Sequence, residues 1–132
     1  MKIETKIIST LLTNEDYLRK VIPFIKDIYF DIISEKVIFE EIQNYVNQYD
    51  KVPTQAIIQI ELDKRVDISE ETFKESMDII KNVREEKNEY QWLIDTTEKW
   101  CKERAVYLAL MESVKIADGK DKTKSRDAIP SI

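Results

Sequence analysis

At 132 residues, 42 % hydrophobic and 36 % charged, the chain has the length of one domain and the composition of a soluble, helix-rich fold. It has no histidine and one glycine, which excludes Ser-His-Asp and Cys-His sites, His-ligated metals, Walker A loops and GxGxxG fingerprints. The net charge of −5 is concentrated in residues 61–103, with thirteen acids against eight bases, and argues against wrapping a phosphate backbone.

Ile3, Ile7, Ile8, Leu11 and Leu12 recur at helical spacing, which predicts a first helix ending at Thr13 or Asn14. Asn14 is placed to cap a second helix, with Glu15 and Asp16 in its favourable first turn, and Pro23 cuts that helix short. "FIKDIYFDII" (24–33) reads as a short helix or turn anchored in the core.

Ser34 is the predicted cap of a third helix running to about Tyr49, with Val37, Ile38, Ile42, Tyr45, Val46 and Tyr49 on one face. "DKVPT" stops it, because the residue before a proline is pushed to an extended conformation. Thr54 caps the next segment, which contains Ile57, Ile58, Ile60 and Leu62. Isoleucine also favours strands, but no partner strand is visible elsewhere, so a helix is expected. Ser69 caps a fifth helix through Phe73, Met77, Ile80 and Val83 to about Lys87, with Ile68 and Phe73 at the spacing of a hydrophobic staple.

The last predicted helix starts near Tyr90 or Trp92 and ends at Gly119, a natural residue just past a helix end. Its first half has a narrow inward stripe of Leu93, Thr97 and Trp100. Its second half has seven uncharged residues in a row, Ala105 to Met111, and puts Tyr107, Leu110, Met111 and Val114 on one face. From Trp92 to Asp118 such a helix is about 40 Å long, against a radius of gyration of about 14 Å for a compact domain of this length. The C-terminal part is therefore expected to project and to need a cover: an antiparallel helix, another subunit or both. Beyond it, "KDKTKSRD" is polar, and the apolar "AIPSI" reads as the start of a further helix. Cys101 reads as a small buried hydrophobe, and its being the only cysteine suits a reducing compartment.

Taken in order, these segments resemble the N-terminal domain of DnaB-type replicative DNA helicases, most closely those of T-even-like phages. The resemblance is carried by the early amphipathic helix and "IYF" (28–30), and by "FEEIQNYVNQYDKVPT" (39–54). It continues in "WLIDTTEKWCKERAVYLA" (92–109), whose Glu98-Lys99 and Lys102-Glu103-Arg104-Ala105 are similar to an RERA-like stretch of the bacterial members, and in the Gly119 end and later "AIP". It implies an all-α fold: a globular helical bundle over 1–89, a long hairpin helix over 90–119, and over 120–132 a polar linker with the start of a truncated second hairpin helix. It also implies a collar that pairs subunits of a hexameric ring as dimer or hexamer, and docks primase and the helicase loader. ATP and Mg, and the contact with DNA, would belong to a RecA-like motor outside this chain, in the cytoplasm of an infected bacterial host, with no membrane contact.

No catalytic, metal-binding or cofactor-binding residue is expected. The candidate hairpin or subunit-interface residues are Trp100, Arg104, Tyr107, Leu108, Met111 and Val114. Two functions remain open: the collar domain of a ring helicase, non-catalytic in itself, or a stand-alone helical adaptor or inhibitor of the helicase–primase machinery.

Overall fold

The computed structural model describes residues 2–85 and 89–117. Among them are six α-helices and no strand: α1 (Ile3–Thr13), α2 (Glu15–Val21), α3 (Ile33–Tyr49), α4 (Gln55–Asp63), α5 (Glu70–Lys81) and α6 (Tyr90–Ala117). Two 3-10 turns, Ile22–Phe24 and Asp27–Tyr29, join α2 to α3. The expected all-α class is what the chain adopts. It divides after Glu98 into two units, so α6 starts in the first and continues into the second.

Local chemistry sets three of the helix starts. The side chain of Asn14 accepts from Tyr17 N–H at 3.0 Å, that of Thr54 from Ile57 N–H at 3.1 Å, and that of Ser69 from Thr72 N–H at 3.0 Å. Each satisfies one of the amide groups that a helix leaves open at its first turn. Pro23 ends α2 by opening a 3-10 turn, and α3 stops at Asp50, which takes the left-handed conformation (φ 54, ψ 38).

Two expected boundaries are corrected. Ser34 is not the cap of α3; the cap position is Ile32, two residues earlier, without a side-chain cap. Ser34 is buried inside the helix, and its carbonyl accepts from the Ser76 hydroxyl of α5 at 3.3 Å. A small residue on each helix lets α3 and α5 approach closely there. The second correction is α5, which ends at Lys81 rather than near Lys87. Side chains reach the carbonyls at and just past this end: Gln55 donates to Ile80 and Val83, Asn82 to Asp78, and Arg84 to Lys81 and Val83. Lys87 itself, the expected end at Gly119, and "AIPSI" lie outside the described residues.

α3 is the hub of the first unit. It packs on α1, α4, α5 and the second 3-10 turn, while α1 also packs on α2 and α4 on α5. The core draws Ile7, Ile8 and Leu11 from α1, Tyr17 and Leu18 from α2, and Val37, Ile38, Phe39 and Ile42 from α3. Ile58 and Leu62 of α4 and Ile80 of α5 complete it. Each such side chain contributes about 1.5–3 kcal/mol by leaving water. Of the aromatic linker, Ile25, Tyr29 and Phe30 are anchored, with the Phe30 and Phe39 ring centroids 5.4 Å apart, whereas Phe24, Ile28 and Ile33 are exposed.

Arg65, just past α4, ties the segment between α4 and α5 to α3. Its guanidinium donates to Glu40 and Glu41 of α3, both at 3.2 Å, and to both carboxylate oxygens of Asp67 at 2.9 and 2.7 Å. The exposed Asp67 is held down at about 2 by that fork. Glu40 and Glu41 are pushed above the usual carboxylate range, because burial outweighs the pull of Arg65; Asp27 beside Glu40 adds to its rise.

A candidate interface on the last helix

The first half of α6 follows the expected pattern. Leu93, Ile94, Thr97, Trp100 and Cys101 are buried, while Asp95, Glu98, Lys99, Lys102 and Glu103 are exposed. Cys101 is thus the buried small residue expected. Thr97 is held within the first unit by a 2.6 Å hydrogen bond to the Tyr17 hydroxyl.

The second half differs. From Lys102 to Ile116 no residue is buried, and only Arg104, Leu108 and Ile116 are half-buried. Val106 is 59 % exposed, Tyr107 48 %, Leu110 59 %, Met111 41 % and Val114 47 %. These five recur at spacings of one, three and four residues, so they share one side of the helix. Lys102, Glu103, Val106, Tyr107 and Leu110 line an open apolar groove of about 360 Å³. Arg104 lies over the Tyr107 ring with its guanidinium carbon 4.9 Å from the centroid, an i,i+3 cation–π contact. Lys99 and Glu103 flank the groove as an ion pair at 3.9 Å.

Of the six candidate residues, the structure brings Tyr107, Met111 and Val114 onto one exposed side. Arg104 supports that side through Tyr107, and Leu108 is half-buried. Trp100 is only 6 % exposed, so its surface is already used within the chain. Sequence reasoning overlooked Val106 and, as a site residue, Leu110, although both line the groove. The signal was present: Val106 and Leu110 are four apart, and Val106 and Leu110 each neighbour Tyr107 or Met111 along the same side.

This surface can bind but offers no nucleophile or acid–base pair. Exposed apolar side chains at helical spacing suit a helix laid alongside, as in coiled-coil packing. No helix among the described residues is long and apolar enough to cross a membrane.

No protein-family model matches the chain. It is 26 % identical over 110 residues to a DnaB-like replicative helicase of Enterobacteria phage T4. The match takes in 83 % of this chain but only 23 % of the helicase, so the chain spans less than a quarter of that relative's length. The resemblance read from the sequence is therefore borne out as a similarity to one part of a phage replicative helicase.

Proposed function

We propose that this chain is the non-catalytic N-terminal collar domain of a phage replicative DNA helicase. Its surfaces pair subunits of a hexameric ring and dock primase and the helicase loader at the fork. The ATP- and Mg-dependent motor, with its DNA contacts, would be a separate part of the parent protein, as suits a chain similar to 23 % of a helicase.

The observation that carries the reading is the exposed apolar side of α6, where Val106, Tyr107, Leu110, Met111 and Val114 are each 41–59 % exposed. A monomeric protein rarely leaves a contiguous apolar patch of this kind uncovered. Tyr and Met are enriched where subunits meet. In a ring, tethering primase to the collar would make its encounter with the fork intramolecular, which raises its effective concentration without a new contact.

Light scattering on the 132-residue chain across a wide concentration range tests the pairing. The expected result is a mass that rises with concentration and falls back to the monomer in Leu110→Glu. A strict monomer throughout would remove self-pairing through this helix. The parent gene tests the remainder: a reading frame continuing beyond the Ile132 codon into a strand–GxxxxGK[ST]–helix segment supports the collar. A stop codon there favours the free-standing adaptor, docking through the same side of α6.

A further inference from the structure

The C-terminal half of α3 sets Glu41, Tyr45 and Tyr49 four residues apart, with Asn44 and Gln48 beside them on the same side. Tyr45 is half-buried and Tyr49 is 54 % exposed. Their ring centroids lie 4.7 Å apart, with the ring planes tilted by 42°. Both rings line a partly enclosed pocket of about 70 Å³, together with Glu41, Asn44, Gln48 and, from α4, Glu61. The pocket lies wholly within the first unit.

The aromatic pair gives this pocket its character, because a ring face carries partial negative charge and attracts a cation. The rest of the lining has the same preference. Arg65 reaches only Oε2 of Glu41, and Lys64 only Oε1 of Glu61. Among the described residues no further donor bonds either carboxylate, so each keeps one oxygen for another partner. Burial pushes Glu41 above the usual carboxylate range, and the neighbouring Glu61 charge adds to that rise. α3 ends at Tyr49, and its last turn holds no basic residue to offset the negative end of the helix dipole. Arg19 meets the chain only beyond that turn, at Asp50. Rings, carboxylate oxygens and helix end thus favour the same guest by separate physical routes.

We infer that this pocket takes the ammonium end of a lysine side chain presented by a partner protein. The three N–H donors of an ammonium match the open oxygens of Glu41 and Glu61 and an amide oxygen of Asn44 or Gln48. The adjoining methylenes lie against Tyr45 and Tyr49, where the cation and ring faces attract. A cavity of about 70 Å³ suits that compact head better than the wider, planar guanidinium fork. More than half of Tyr49 stays in contact with solvent. A polypeptide around the lysine covers that apolar area, whereas a free amine leaves it wet. The pocket shares no residue with the exposed side of α6, so it stands or falls separately from the collar reading.

The test titrates the ¹⁵N-labelled 132-residue chain with acetyl-Ala-Lys-Ala-amide. Parallel titrations use the same peptide with norleucine or arginine in place of lysine, and butylamine as the free ammonium. The lysine peptide is expected to give saturable amide shifts confined to residues 41–49, Glu61 and their neighbours. The norleucine peptide should give none, and the arginine peptide and butylamine should each bind about threefold more weakly or worse. Tyr49→Leu and Glu61→Gln should each weaken the lysine peptide about threefold or more. Both side chains are well exposed, so urea midpoints near the native value are expected for these variants. Glu75→Gln, on α5 and outside the pocket, should leave the affinity unchanged. No saturable shift, or equal binding of the norleucine peptide, would overturn the inference. So would equal or tighter binding of the arginine peptide or butylamine, which would assign the pocket to another cation or to a free amine. Native affinity in Tyr49→Leu or Glu61→Gln, or an equal loss in Glu75→Gln, would reduce the effect to general charge attraction and overturn it as well.

Discussion

The hydroxyl oxygens of Tyr17 and Thr97 lie 2.6 Å apart, although 80 positions separate them in the chain. Both residues are almost completely buried, 0 and 1 % exposed. This bond joins the short second helix to the first half of α6, on which the candidate interface continues. Truncating one partner leaves a buried hydroxyl without its bond, which costs about 1–3 kcal/mol. Tyr17→Phe and Thr97→Val should each lower stability by that order in urea denaturation. The double variant should cost less than the sum of the two, because removing both polar groups leaves neither orphaned. Additive losses would show that the hydroxyls are not coupled.

The two aliphatic surfaces should respond differently to the same truncation. Ile58 is fully buried in the core, and Ile58→Ala should cost about 2–5 kcal/mol, the transfer loss plus a cavity. Leu110, 59 % exposed, should change stability by no more than about 0.5 kcal/mol when made Ala. Thermal unfolding of both variants at low concentration, where association is suppressed, reads the contrast. A large loss in Leu110→Ala would mean that the outer half of α6 is covered within the chain.

Acid should act on this protein in two opposite stages. Burial raises Glu35, Glu40 and Glu41 above 4.5 in the folded chain. The folded state therefore takes up these protons before the unfolded state does. Stability should rise as pH falls from 7 through their folded values toward about 4.5. Asp67 has the opposite sign: lowered from 3.8 to about 2, it stabilises above 3.8 and loses that contribution as pH falls through about 2. Urea midpoints measured from pH 7 to pH 2 should pass through a maximum between those windows. Glu35→Gln should flatten the rise between pH 7 and 4.5 and leave the acid fall unchanged.

Arg65 is the hinge of that electrostatic cluster, since Glu40, Glu41 and Asp67 all accept from it. Arg65→Met keeps the aliphatic stem and removes the charge, leaving two partly buried carboxylates without their cation. Destabilisation of about 2–4 kcal/mol at pH 7 is expected, somewhat below the cost of breaking a fully buried pair. The loss should shrink as pH falls and Glu40 and Glu41 take up protons. A loss that does not vary with pH would assign Arg65 a packing role alone.

Asp50 closes α3 in the left-handed conformation and accepts from Arg19 through both its carboxylate, at 3.0 Å, and its backbone carbonyl, at 2.9 Å. Glycine adopts that backbone without the steric cost, about 1 kcal/mol, that a Cβ brings. Asp50→Gly should therefore match or exceed native stability, because the exposed ion pair adds little. Asp50→Val should lower the midpoint clearly. The reverse order would mean that the Arg19 contact outweighs the backbone term.

What the sequence determined alone was whatever rests on bonds between near neighbours. Asn14, Thr54 and Ser69 each satisfy an amide three residues on, so those helix starts were legible in four letters. The 3.6-residue recurrence of Ile7, Ile8 and Leu11, or of Leu93, Thr97 and Trp100, made the buried faces legible too, because periodicity along one helix needs no knowledge of its partner. The apolar run of residues 105–111 also announced an unusual surface before its exposure was known.

Tertiary structure decided whatever depends on a group distant in the chain. Ser34 has the chemistry of a cap, yet it lies buried inside α3, where its backbone carbonyl accepts from the Ser76 hydroxyl, 42 positions away. α5 ends where Gln55, 25 positions back, reaches the Ile80 carbonyl. Ile58 and Ile60 are the same residue type two positions apart, and only the packing of α4 on α3 and α5 buries the first and leaves the second 57 % exposed. Glu35 reads as an ordinary acid in a helix's first turn. Only the approach of α1 and α5 removes its water without supplying a partner for its second oxygen, because burial is set by elements that local sequence cannot see.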